Sequence, residues 1–342
     1  MNLGVINAGF WLADAVGVGR LLGRRSQDRL TILCYHSIVD RPLPERVSRA
    51  GLHLQLDVFA RQATYLADHC EVIPLSEALE RPRRGRGRPR VALTFDDGYA
   101  NNARLAFPIL SRLGLPATLF VVPSFASKPR LPWWDEINWL LTTPPTAAFE
   151  WGPLGTLDFR LGASDSAFRR AREFCMGAMP DERAQLLDRL AQAAGARDES
   201  IAELLRPSSW EELARLPDVI RIGNHTHTHR VIDRINRVAI EWEIASGRAE
   251  LLRHLGSRQT EPNLLCYPRG VSTAEARTVA AGLGVQWGLG LLDGVGHRPT
   301  AGADSNRLNL PRMIVGPQLS DRRFRFATVG FYPVRRVPPA SG

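Results

Sequence analysis

What this chain has little of narrows it first. Of its 44 lysines and arginines only Lys128 is a lysine, so the net charge of +9 on 342 residues is carried by arginine. Six arginines fall between positions 81 and 90, among Pro and Gly and without an aromatic residue. A nucleic-acid surface needs a longer basic stretch with stacking rings. The run therefore reads as a solvated loop, and no nucleic-acid partner is expected. Cysteine is scarce too: Cys34, Cys70, Cys175 and Cys266 show no paired spacing, which argues against a disulfide scaffold and fits reduced, buried thiols. No apolar run reaches the roughly 18 residues that span a bilayer. The first 25 residues lack a positive start and an Ala-x-Ala site, against a cleaved leader. Phe10, Trp11, Leu12, Val16, Leu21 and Leu22 instead suggest an amphipathic segment over residues 1–29, suited to a membrane surface or to docking on the domain. The location expected from this is cytoplasmic, with peripheral contact to the inner membrane.

What is present is a core and a rhythm. Hydrophobic residues make up 44% of the chain. From Leu30 short apolar runs alternate with helix-period segments: Leu30 to Tyr35, a helix capped by Asp57 and running to His69, a strand at Val72-Ile73, the run before Asp96, a helix closed by Gly114, and a strand from Ala117 to Val122. Strand-helix alternation predicts a parallel sheet in an α/β fold. Between residues 123 and 206 the rhythm is lost, which reads as a helical insertion carrying Trp133 and Trp134. It returns with Val219 to Ile222, a helix through Ile240, Ile244, Leu251 and Leu255 ending at Gly256, and strands near Leu264, Val285 and Arg312. Three regions follow: residues 1–29, a domain over 30–320, and an Arg/Pro-rich, peripheral tail over 321–342.

Two stretches carry chemistry. The strand at Val91 to Phe95 breaks off into Asp96-Asp97-Gly98. Adjacent carboxylates repel, so such a pair persists where a cation shares the site, although an Asp-Gly turn with solvated side chains is the plain alternative. The second is Gly223-Asn224-His225-Thr226-His227-Thr228-His229, again just past a strand. His225 and His229 can converge on one ion from a single turn of chain. Two imidazoles and a carboxylate leave coordination positions open, as a catalytic metal requires.

Together these stretches resemble the polysaccharide deacetylase family, carbohydrate esterase family 4. Its motif Thr-Phe-Asp-Asp-Gly stands unchanged at Thr94 to Gly98, and its His-Ser/Thr-x-x-His is matched by His225, Thr226 and His229. The resemblance implies a distorted (β/α) barrel with its site at the carboxyl ends of the strands. It implies Asp97, His225 and His229 as ligands of a divalent metal, Zn2+ foremost, and Asp96 as general base. It also implies the backbone N–H of Arg269 as oxyanion donor, and an acetylated glycan or glycolipid as substrate. The third motif departs from the pattern, because Cys266 stands where family members often have an arginine that steadies the base. The form Tyr267-Pro268-Arg269-Gly270 resembles exopolysaccharide-modifying relatives and puts Tyr267 and Pro268, with Trp133 and Trp134, among the substrate-binding candidates. The family's Leu-x-x-His, supplier of the general acid, is missing near the C-terminus but occurs at Leu33 to His36. His36 is the expected acid, on a strand permuted to the front of the chain. A metal-dependent amidase of small metabolites and a non-catalytic glycan binder are the alternatives; an intact Asp96 argues against the binder, and an insertion large enough to form a groove favours the sugar deacetylase over the amidase.

Overall fold

The computed structural model describes residues 30–48, 51–80, 87–128, 130–143, 148–159, 166–194, 198–257, 259–291 and 307–329. The N-terminal amphipathic segment, Arg81 to Arg86 of the arginine run, and the tail beyond residue 329 lie outside them.

The main sheet is built from runs buried on both faces, the signature of parallel strands under helical cover. Its members are β1 (Leu30–Tyr35), β4 (Glu71–Val72), β5 (Arg90–Phe95), β6 (Ala117–Val121), β9 (Ile220–Asn224), β10 (Thr260–Cys266), β11 (Trp287–Leu289) and β12 (Met313–Ile314). β2 (Ser37–Val39) pairs with β3 (His53–Gln55), and β7 (Phe149–Trp151) with β8 (Gly155–Leu157), in two small sheets. The order is β11-β10-β9-β6-β5-β1-β12, with β4 beside β5, and every pairing in it is parallel. β1 and β5 run in register from Leu30 opposite Arg90 to Tyr35 opposite Phe95. The two ends of this order approach through one segment: Leu310 bridges Leu289, Met313 pairs with Leu33, and the Val315 N–H donates to Cys34 O at 2.8 Å. The sheet thus curls into the half-barrel of a distorted (β/α) barrel, and its strands all end on one rim.

Helices cover the outside. α1 (Leu56–His69) buries Phe59, Ala63 and Leu66, and α2 (Phe107–Leu113) buries Phe107 and Leu110. Gly114 closes α2 in the left-handed region at φ 64°, where a glycine carries no Cβ penalty. The residue capping α1 is Gln55, not Asp57, which lies inside the first turn and pairs with Arg61 at 2.8 Å.

The insertion has a core of its own. α3 (Trp133–Leu140), α4 (Ser166–Gly177) and α5 (Pro180–Ala193) pack Trp133, Ile137, Leu140, Cys175, Leu186 and Leu190 together with Val39, Val47 and Val231 from the barrel side. α6 (Arg237–Leu255) and α7 (Ala274–Gly282) flank β9 and β10. The C-terminal segment differs from expectation: Asp321–Thr328 is a helix whose Phe324 is 1% exposed in the main core. An arginine-rich sequence concealed two apolar residues on one helical face, so its first turns belong to the domain rather than to a peripheral tail.

Candidate active site

The aspartates gain separate roles from one backbone turn. The Asp96 N–H donates to Tyr35 O at 3.0 Å, extending the β1–β5 ladder by a residue. Asp97 then turns the chain at φ 69°. Among the described residues the non-glycine positions with positive φ are Asp97, Thr226, His229 and Arg269. Conformations of this kind cost about 1–3 kcal/mol each and survive where surrounding structure over-determines them. Here all four belong to the three motif loops on the rim.

The histidine loop is over-determined in this sense. The His225 N–H donates to Val121 O at 3.0 Å, and Asn224 Oδ1 accepts from the Thr226 N–H at 3.0 Å while its Nδ2 donates to Ile244 O. Glu243 of α6 is fully buried; it accepts from the Thr228 N–H at 2.8 Å and from the Thr228 hydroxyl. This close approach requires Gly247, since a Cβ there would lie 2.4 Å from Asn224 Oδ1. The result is that His225 Nε2 and His229 Nε2 each lie 3.4 Å from Asp97 Oδ1. His227 is not brought to the site; its ring packs at right angles on Trp242, centroids 4.9 Å apart.

Asp96 is 2% exposed and keeps different company. Arg312, at the start of the closing strand, grips it with two bonds of 2.7 Å. The guanidinium also reaches Thr94 Oγ1 at 3.1 Å, Gly290 O at 3.2 Å and Cys266 Sγ at 2.9 Å. The thiols of Cys34 and Cys266 donate to Asp96 Oδ2 from 3.4 and 3.5 Å. Burial opposes ionisation of Asp96, yet Arg312 foremost, with His225 and His36, holds its carboxyl well below the usual range. Burial pushes both thiols well above theirs, so they act as neutral donors. The sequence reading that Cys266 leaves the base without its arginine is corrected here: Arg312 supplies that contact from another strand.

The remaining candidates divide. His36 Nε2 lies 3.9 Å from Asp96 Oδ2, and burial, more than Asp97 and Asp96 can offset, lowers its pKa. Arg269 follows β10 at φ 56°, with its side chain turned to Met176. Tyr267 does not face the site: it is fully buried with Ile240, Val279 and Val285, because alternation along β10 sends it to the helix side. Pro268 and Trp133 are buried as well, Trp133 within the insertion core. Of the four substrate-binding candidates only Trp134 is partly exposed, with its ring 4.5 Å from that of His229.

The donors suit a divalent cation. Asp97 Oδ1 is buried and accepts no hydrogen bond, although it lies between two imidazoles. His225 Nδ1 lies 2.8 Å from Cys266 O, so its N–H donates there and the lone pair on Nε2 faces Asp97. The donor atoms of Asp97, His225 and His229 all lie within 4.8 Å of one another.

A curled parallel sheet with paired aspartates and histidines on its carboxyl rim defines a distorted (β/α) barrel with a candidate site at its strand ends. The profile of the polysaccharide deacetylase family matches residues 83–146 and 171–288, and the chain belongs to that family. Its fold is similar to that of the deacetylase PplD from Streptococcus pyogenes, solved with acetate, at 18% identity and TM-score 0.54 over 85% of this chain and 94% of that one. IcaB from Ammonifex degensii aligns at 17% identity and TM-score 0.50, covering 89% and 97%. A polysaccharide deacetylase from Bacillus cereus aligns at 15% and 0.53, covering 88% and 69%. No curated protein matches the chain.

Proposed function

We propose that this protein is a metal-dependent deacetylase that removes acetyl groups from a sugar of a surface polysaccharide or of its lipid-linked precursor. The observation that carries the reading is the orphaned Asp97 Oδ1, buried and equidistant from His225 Nε2 and His229 Nε2. These three residues would hold the cation, Zn2+ by the donor set. The cation would supply Lewis-acid polarisation of the acyl carbonyl and a water that loses its proton near neutral pH.

The protein's own groups complete the chemistry. Asp96, kept ionised by Arg312 and off the cation by the turn at Asp97, takes the proton of the attacking water. The Arg269 N–H, at the rim beside Cys266, is assigned to the developing oxyanion. His36 hands a proton to the departing amine or hydroxyl. β1 lies between β5 and β12, so Leu33 to His36 stands beside the closing strand, which supports a permuted Leu-x-x-His. The Streptococcus pyogenes relative was solved with acetate, the product this reading requires. Release of acetate from acetylated chitooligosaccharides, nucleotide sugars or polyprenyl-linked glycans by the zinc-loaded protein tests the assignment. Turnover of small amides alone would overturn it.

A further inference from the structure

His225 and His229 face the same carboxylate oxygen but are held in different ways. His225 is fixed through its far nitrogen by Cys266 O. His229 Nδ1 is buried and has no hydrogen-bond partner beyond its own backbone. Metal-binding imidazoles are nearly always oriented through that nitrogen, and with no partner there from another residue the ring angle of His229 is left to packing. The packing comes from the insertion. The Trp134 ring lies 4.5 Å from His229, planes inclined at 48°. Its own angle is set by a buried relay: Trp134 Nε1 donates to Tyr99 Oη at 3.0 Å, and Tyr99 Oη donates to Asp135 Oδ2 at 2.6 Å. Asp135 Oδ1 completes the relay on His53 Nε2 at 3.1 Å. Tyr99 and Asp135 are fully buried. Tyr99 stands two residues after Asp97, so one motif both places the carboxylate and aims the indole. From α5 the buried Arg183 donates to Thr228 O at 2.6 Å, bracing the peptide before His229.

We propose that Trp134, aimed by Tyr99 and Asp135, is the positioning residue for His229, so that the insertion completes the metal centre as well as roofing it. The inference rests on the metal-site reading given above. An indole across one face of the imidazole removes ring orientations in which Nε2 turns from Asp97. Without it the ligand must be ordered at the moment of binding, which weakens affinity. A sugar platform would behave differently, since it contributes to substrate binding and not to the cation.

The test is zinc affinity, read by competition with a chromophoric chelator, together with the absorption spectrum of the Co2+-substituted protein. Tyr99→Phe, which removes one hydroxyl, should weaken zinc binding about tenfold, and Trp134→Ala by up to about a hundredfold, the range for groups that orient a ligand. The Co2+ spectrum should change in both. Asp135→Ala should resemble Tyr99→Phe, and Asp135→Asn should recover part of the loss because its amide oxygen still accepts from Tyr99. Leu190→Ala, which thins the insertion core away from Trp134, should lower the melting temperature and leave zinc affinity unchanged. Unaltered zinc affinity and Co2+ spectrum in Tyr99→Phe and Trp134→Ala, with a raised KM for glycan, would overturn the inference and make Trp134 a sugar contact. Failure of the unsubstituted protein to bind zinc would instead overturn the metal reading beneath it.

Discussion

The barrel and its insertion contribute to one site by opposite physical means. The barrel side is electrostatic: Asp96 and Arg312 form a buried ion pair, and His225 is tied to a strand-end carbonyl. Asp96 and His225 stand just past strand ends and Arg312 just before β12, so paired strands set the position of each. The insertion side is steric, offering an indole and a backbone brace from helices with a separate core. Charge placement thus comes from the strands of the sheet, while the part with the smaller core packs against His229 and braces its loop. Stability and catalysis should consequently separate by region, and the two can be perturbed independently.

Arg312→Met should give the largest effect. It strands the Asp96 carboxylate in a buried site, which costs about 3–5 kcal/mol, read as a shift in urea midpoint. The double change Arg312→Met with Asp96→Asn should be less destabilised than Arg312→Met alone, because no unpaired charge remains; an additive double would show the pair is not coupled. Next, Asp96→Asn by itself should keep the bound metal and lose acetate release by roughly a hundredfold or more, the scale for a general base. Near-normal turnover would remove Asp96 from that role.

His36→Ala sharpens the comparison inside the barrel. Loss of a proton donor should matter greatly for an amide substrate, whose amine leaves only when protonated, and much less for an activated aryl acetate. Equal losses on both would reduce His36 to a scaffold for Asp96. A smaller effect is expected where the insertion rejoins the barrel. There Arg206 grips Glu212 with bonds of 2.7 Å and, ahead of the opposing pull of burial, lowers its carboxyl from 4.5 to about 2. A folded-state pKa below the unfolded one contributes stability in full above about 4.5 and loses it as pH falls toward 2. The pair is half-buried, so salt should mute part of the effect, and Glu212→Gln should flatten that part of the stability curve. The smallest change of all is expected for His227→Gln, whose ring packs on Trp242 away from the site; zinc affinity should stay within about twofold.

Much of this protein could be read before its fold was known. Asp96, Asp97, His225 and His229 announce themselves because a strand end followed by a tight turn is a local event, and the two members of each pair are written within a few positions of one another. The alternating rhythm was legible for the same reason: strand and helix periods are properties of short windows. Arg312 was not legible, since it meets Asp96 across 216 positions and only the approach of β12 to β1 brings them together. Nor could the order of residues tell which of two adjacent tryptophans faces the site. Trp133 enters the insertion core and Trp134 the active site, a choice made by the direction in which α3 lies on the barrel. Sequence by itself therefore determined the two candidate motifs, because each is a short run of chain just past a strand end. Tertiary structure decided which groups orient and charge them, because those partners are selected by distance in space.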